Sequence, residues 1–444
     1  MNISKPSHLI ASLSISISLS LAALAISTPV AVYAQKANAA DATNDTLRPE
    51  VAKLLVAAQE KLQAKQFNEA LGKIADVDLI ANKTPYEIFV MERMRGASAL
   101  AVKQYAVAAK SFEMVFATGR LNATDRAIYA EAVTGAYYNL KDYKQAAIWA
   151  AKAIKEGATQ SQTRQILIQS LFLADDFVTA KTEVDAAIAA DEKAGKTASE
   201  DLLKMLGRIA LKQDDMTAYA NALEKLVILY PNSGYWADLI GRIATNPAMT
   251  DRYMLDLFRL QMALGETLTI SQYVFLAQHA IQAGFPIEAR QILDKGFAAG
   301  VLGNNPDHKK LRAKATKDAD DDIKNMARLS AEAEKGTEGP ALFNAGLNTF
   351  LNGDRDKGIA MMTQGIKRPA IKRLDDAKLR LGVSYALNGE RAKAVEILAT
   401  VAGNEGIKDA ARLWSAFAKQ PAQSAAPAVA LVPATPPTAP AASK

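Results

Sequence analysis

Small and apolar residues recur along this chain at two fixed intervals. Ala58, Ala70 and Ile74 lie 12 and 4 residues apart, and the same intervals return at Gly96, Ala108 and Phe112, then at Thr134, Ala146 and Ala150. They continue at Ile168, Ala180 and Val184, at Gly207, Tyr219 and Leu223, and near the C-terminus at Gly346, Gly358, Met362 and Gly382, Ala394, Leu398. Middle members follow one another at 38, 38, 34 and 39 residues from Ala70 to Tyr219, and at 36 from Gly358 to Ala394. A period of that length holds a pair of helices with their turns. Two antiparallel helices approach closely only where small side chains face one another, and the glycines and alanines supply that contact. The turns read Lys65-Gln66-Phe67, Lys103-Gln104-Tyr105, Lys141-Asp142-Tyr143 and Asp175-Asp176-Phe177, each with an aromatic three residues before the small position, where it can staple the hairpin. Thr84, Pro85 and Glu87 predict a helix start with a capping box.

Leu381, Gly382, Tyr385, Gly389, Ala394 and Leu398, and more sparsely Leu206, Gly207, Leu223 and Pro231, carry a known pattern. On these residues the chain resembles the tetratricopeptide repeat family, a solenoid of helix-turn-helix units. The resemblance implies an all-α, superhelical solenoid of antiparallel hairpins whose first helices line a concave surface for a segment of another protein. The expected organisation is a repeat block over 49–231, degenerate hairpins over 232–303, a charged helix or linker over 304–338, repeats over 339–402 and a capping helix over 403–420. A Pro/Ala-rich tail over 421–444 cannot supply a packed core.

Residues 1–34 read as a secretory signal, with an apolar run from Leu9 to Ile26 and small residues permitting cleavage after Ala34, or after Ala39; 35–48 is then a linker. The alternative keeps the run as an inner-membrane anchor. No cysteine occurs in the 444 residues, which excludes disulfides, thiolate metal sites and cysteine nucleophiles, and in an exported chain favours a bacterial periplasm. A net charge of +6 over this length is too dilute to imply nucleic-acid binding.

Candidate chemistry is sparse. Asp318, Asp320 and Asp322 begin like a calcium loop, but Ile323 stands where the turn glycine must be. Asn352, Asp354 and Asp356 fail in the same way at Lys357. His279 reads as a packed helix residue and His308 as solvent-facing, while Trp149, Trp236 and Trp414 read as helix packing. No catalytic residue, metal or cofactor is expected. The function expected is a protein-binding scaffold in the cell envelope; the alternative is an envelope enzyme, such as a cell-wall hydrolase, with its site in the irregular middle. Placing the family pattern on this chain puts Arg93, Glu131, Tyr138, Gln165, Gln169, Phe172, Lys204, Arg208 and Lys212 on the inner face. Lys204, Arg208 and Lys212 form one basic stripe suited to an acidic partner segment. The lysine and asparagine by which some family members grip a carboxylate are replaced by Leu55 and Gln59.

Overall fold

The computed structural model describes residues 46–421 apart from Gln160 and Asn304; the expected signal with its cleavage point and the tail from 422 lie outside the described residues. Among the described residues all regular structure is α-helix, in two compact units that divide between Asp215 and Met216.

The first unit comprises α1 (Pro49–Gln63), α2 (Phe67–Asp78), α3 (Pro85–Ala101), α4 (Tyr105–Ala117), α5 (Ala123–Asn139), α6 (Tyr143–Lys155), α7 (Ser161–Leu173), α8 (Phe177–Lys193) and α9 (Glu200–Lys212). Successive helices pack as antiparallel hairpins, each mainly on its neighbours in sequence. The three-point pattern is the reason: in both units every member of it is buried. A Cβ on Gly96 would collide with the Phe112 ring, so the first and third members form the close contact between paired helices. Asn122, Asp142, Asp176 and Ser199 cap the helices that follow them by accepting from backbone amides. The residue five before each middle member closes its turn at positive φ: 59° at Lys65, 61° at Lys103, Lys141 and Asp175, and in the second unit 106° at Gly353 and 82° at Gly389. Phe177 staples its hairpin as expected, edge-on to Phe172 at 5.6 Å.

The start of α3 is held by charge. The buried Glu87 carboxylate accepts the backbone amide of Thr84 at 2.8 Å and that of Arg48 at 3.0 Å. It also takes two bonds of 2.9 Å from the Arg48 guanidinium, while Thr84 completes the capping box.

The second unit comprises α10 (Met216–Leu229), α11 (Ser233–Ala244), α12 (Asp251–Ala263), α13 (Ile270–Gln282), α14 (Pro286–Ala298), α15 (Pro306–Lys335), α16 (Gly339–Leu351), α17 (Arg355–Gly365), α18 (Leu374–Leu387), α19 (Arg391–Ala399) and α20 (Glu405–Lys419). The charged segment is a single helix, α15, which packs on α14; Ala315 completes the core that α13 and α14 share. At the hairpins α16–α17 and α18–α19 the backbones come close: a Cβ on Gly346 would lie 2.7 Å from the Met362 amide nitrogen, and one on Gly382 2.5 Å from the Leu398 side chain.

The helix expected as an end cap, α20, packs on α18 and α19 and also on α10 and α12. Arg412 pairs with Glu224 at 2.7 Å, the Trp414 indole donates to the Asp256 carbonyl at 3.1 Å, and the Gln420 amide donates to the Val227 carbonyl at 2.9 Å. Asn246 donates to Asp409 at 2.8 Å, and a Cβ at Gly406 would strike the Ala248 carbonyl. The last helix of this unit therefore meets its first ones.

Enlarging a small contact residue should overfill the helix crossing. Ala146→Leu and Ala394→Leu are each expected to lose about 1–3 kcal/mol in urea denaturation, with Asp321→Ala, on the exposed face of α15, within about 0.5 kcal/mol of the parent. A second prediction concerns Glu87. Burial opposes its charge, but the bonds from Arg48 and Thr84 outweigh this and hold the carboxyl down at about 2, below its ordinary 4.5. A depressed folded-state pKa stabilises the fold above the unfolded value, and that stabilisation is lost as pH falls through the folded value. Glu87→Gln should therefore cost roughly 2–3 kcal/mol at neutral pH, with the deficit shrinking as pH drops from about 4.5 toward 2 in denaturant titrations.

Candidate protein-binding face

All nine residues expected on the inner face lie in the first unit, on the first helices of its hairpins: α3, α5, α7 and α9. Side chains join these helices in sequence. Arg93 Nε donates to the Tyr129 hydroxyl at 2.8 Å, and the guanidinium lies 5.3 Å from the centre of the Phe89 ring, binding α3 to α5. Thr163 donates to Glu131, binding α5 to α7. Arg208 lies 4.7 Å above the Phe172 ring, binding α7 to α9.

Three of the nine are therefore part of ties between neighbouring helices on one side (Arg93, Glu131 and Arg208), and Phe172 is the buried platform for the last. Gln169 is buried, Tyr138 is half-buried and edge-on to Tyr143 at 5.6 Å, and Gln165 and Lys212 are exposed. The basic stripe is partly compensated, since Lys204 pairs with Glu200 at 3.0 Å one turn earlier. Arg208 stacks, and Lys212 projects into solvent. Burial raises the pKa of the Tyr129 phenol, opposed by the Arg93 charge, and burial likewise raises that of Tyr138. Both hydroxyls stay protonated and available as donors at neutral pH.

Sequence reasoning missed Phe89, Tyr129, Thr163 and Glu200. Two of these carried a local signal, since Phe89 and Glu200 stand one helical turn before Arg93 and Lys204. Tyr129 and Thr163 act across repeats and carried none.

Elsewhere most of the candidate polar groups have structural partners. Asp318 pairs with Lys314 at 2.7 Å and Asp320 with Arg290 at 3.0 Å, on the surface of α15 and across to α14. His279 contacts the Phe275 carbonyl through Nδ1 at 2.9 Å, packed within its own helix. His308 departs from the solvent-facing expectation: its Nδ1 is shielded from water without a hydrogen-bond partner. The three tryptophans are buried, with Trp149 donating to Glu113 at 3.1 Å.

The irregular middle contains a buried charge cluster. Arg259 grips Glu288 through Nε at 2.5 Å and Nη2 at 2.9 Å, and reaches Asp256 at 2.9 Å; Arg380 stands 3.7 Å from Asp256. Burial disfavours the Glu288 charge, but Arg259 prevails and keeps that carboxyl below its usual range. Two carboxylates facing two guanidiniums form a structural ion-pair network.

Residues 376–404 match the tetratricopeptide repeat model. No curated protein gives a significant match. Among solved structures, a chain from the structure of Naa15/Naa10 bound to HypK-THB matches at 11% identity, over 80% of this chain and 63% of that one, less than two thirds of its length, with a TM-score of 0.29. The chain thus carries a tetratricopeptide repeat at 376–404, within a succession of helical hairpins that share one buried three-point pattern. Among the described residues no helix is long and apolar enough to cross a membrane.

Proposed function

We propose that this chain is a non-catalytic protein–protein interaction scaffold of the bacterial envelope, receiving a partner segment on the face built by α3, α5, α7 and α9. One observation carries the reading. Three residues before the first member of the repeat pattern, the first unit has the buried Leu55 in its first repeat and then Arg93, Glu131, Gln165 and Lys204 in succession, whereas the C-terminal repeats have Phe343 and Leu379, 6% and 2% exposed. A face that had only to pack would be apolar at that position throughout; four successive polar residues, none fully buried, keep a surface in water that stacking alone does not require. With Arg208 and Lys212 at its end, the face favours an acidic segment. The signal-like pattern of residues 1–34 and the absence of cysteine support a periplasmic setting.

A photo-crosslinking residue placed at Gln165 in living cells should give a discrete adduct. Replacing Lys204, Arg208 and Lys212 together by Glu should remove that adduct by at least about tenfold while circular dichroism stays unchanged. An adduct that survives the triple reversal would exclude this face. Sequencing the mature N-terminus should return Gln35; a chain that begins at Met1 would instead indicate the membrane-anchored form.

A further inference from the structure

The C-terminal repeats carry the same face as the first unit, but with different chemistry. At the positions where α5, α7 and α9 have Glu131, Gln165, Gln169, Lys204 and Arg208, α16 and α18 have Phe343, Leu347, Leu379 and Val383, all buried. Something in the second unit must therefore cover that face. The ties that reach it come from residues far earlier in the chain, on α12 and α14.

On α12, Arg252 pairs with Asp376 and Asp256 with Arg380, both acceptor and donor on α18. On α14, Gln291 donates to the Leu351 carbonyl at the end of α16 at 2.7 Å, and Phe285 at its start packs into the core of Phe343, Leu347 and Phe350. Glu288, also on α14, acts on the Arg380 charge through the buried cluster. From the next first-type helix, α20, Trp414 donates to the Asp256 carbonyl, and Tyr253 meets Gly406.

We propose that the groove of the C-terminal repeats is filled in cis by α12 and α14, which act as its resident ligand and close it to partner segments. The chemistry is that of a helix laid in a groove: apolar positions on the receiving helices, flanked by Asp376 and Arg380, opposite an Arg and an Asp one turn apart on the inserted helix. Buried charges set the register of that insertion, because shifting α12 by a turn would leave Asp256, Arg259 and Glu288 buried and mismatched and part Asp256 from Arg380. The inference is independent of the partner-binding reading of the first unit and would stand if that reading failed.

The absence of native cysteine allows a direct test on the full-length chain. Arg252→Cys with Asp376→Cys, treated with a short bis-maleimide, should give an intramolecular link in the monomer; no link, or links only between chains, would overturn the proposal. Hydrogen exchange supplies a second readout that does not need the cysteine pair. In the unmodified chain the amides of α12 and α18 should exchange slowly. The mild double variant R252A/W414F, which removes two ties while leaving the buried ion pairs in place, should accelerate both helices together by about tenfold with α3 to α7 unaffected. Acceleration of α18 without α12, no change in either, or rapid exchange of α18 in the unmodified chain would each count against a resident ligand.

Discussion

The structure depends on close contact between paired helices at one crossing, where a small residue of the first helix meets a side chain or backbone of the second. At Gly346 and Gly358 that contact is backbone on backbone, and at Gly96 and Gly382 it is a ring or an isobutyl group seated on bare Cα. Everything else in a repeat follows from the need to bring two rods to that distance: turns short enough to return the chain, and an apolar second position that fills the space beside it. The turns show how strictly this is enforced. Lysines and the aspartates Asp175 and Asp214 accept left-handed backbone at the position where the later repeats use glycine, so the geometry of the turn prevails over the preference of the residue.

Inner-face chemistry is superimposed on this scaffold and varies from repeat to repeat. In the first unit they have become lateral ties, such as Arg93 on Tyr129 and Arg208 on Phe172, interspersed with groups left to water, such as Gln165 and Lys212. In the C-terminal repeats the same positions are phenylalanine, leucine and valine and are buried. A single architecture thus carries two surfaces of opposite character.

What the sequence disclosed was local. The intervals of 12 and 4 located the buried contacts of both units, and α11 to α14 were readable from ordinary helix and turn signals. The nature of α15 stayed open because its charges fit a solvated helix and a linker equally well, and only its alanines at 315 and 319, buried against α14, decide between them. What could not be read was the meeting of α20 with α10 and α12. Trp414 and Asp256, or Gln420 and Val227, are joined across more than 150 residues by single bonds that leave no periodic trace. One clue was present all the same: Phe343 and Leu379 are too apolar for an open inner face, and their identity already required a cover.

The meeting of the last helix with the first ones has a further consequence for how the second unit can change over generations. A linear stack can gain or lose a hairpin by duplication or deletion and still present the same contacts at each junction. Here α20 must arrive at Glu224, Asp256 and Val227 with its own arginine, tryptophan and glutamine in register. Adding one repeat would carry all three past their acceptors, so the number of helices between Met216 and Pro421 is pinned, and divergence in this half has to proceed by substitution alone.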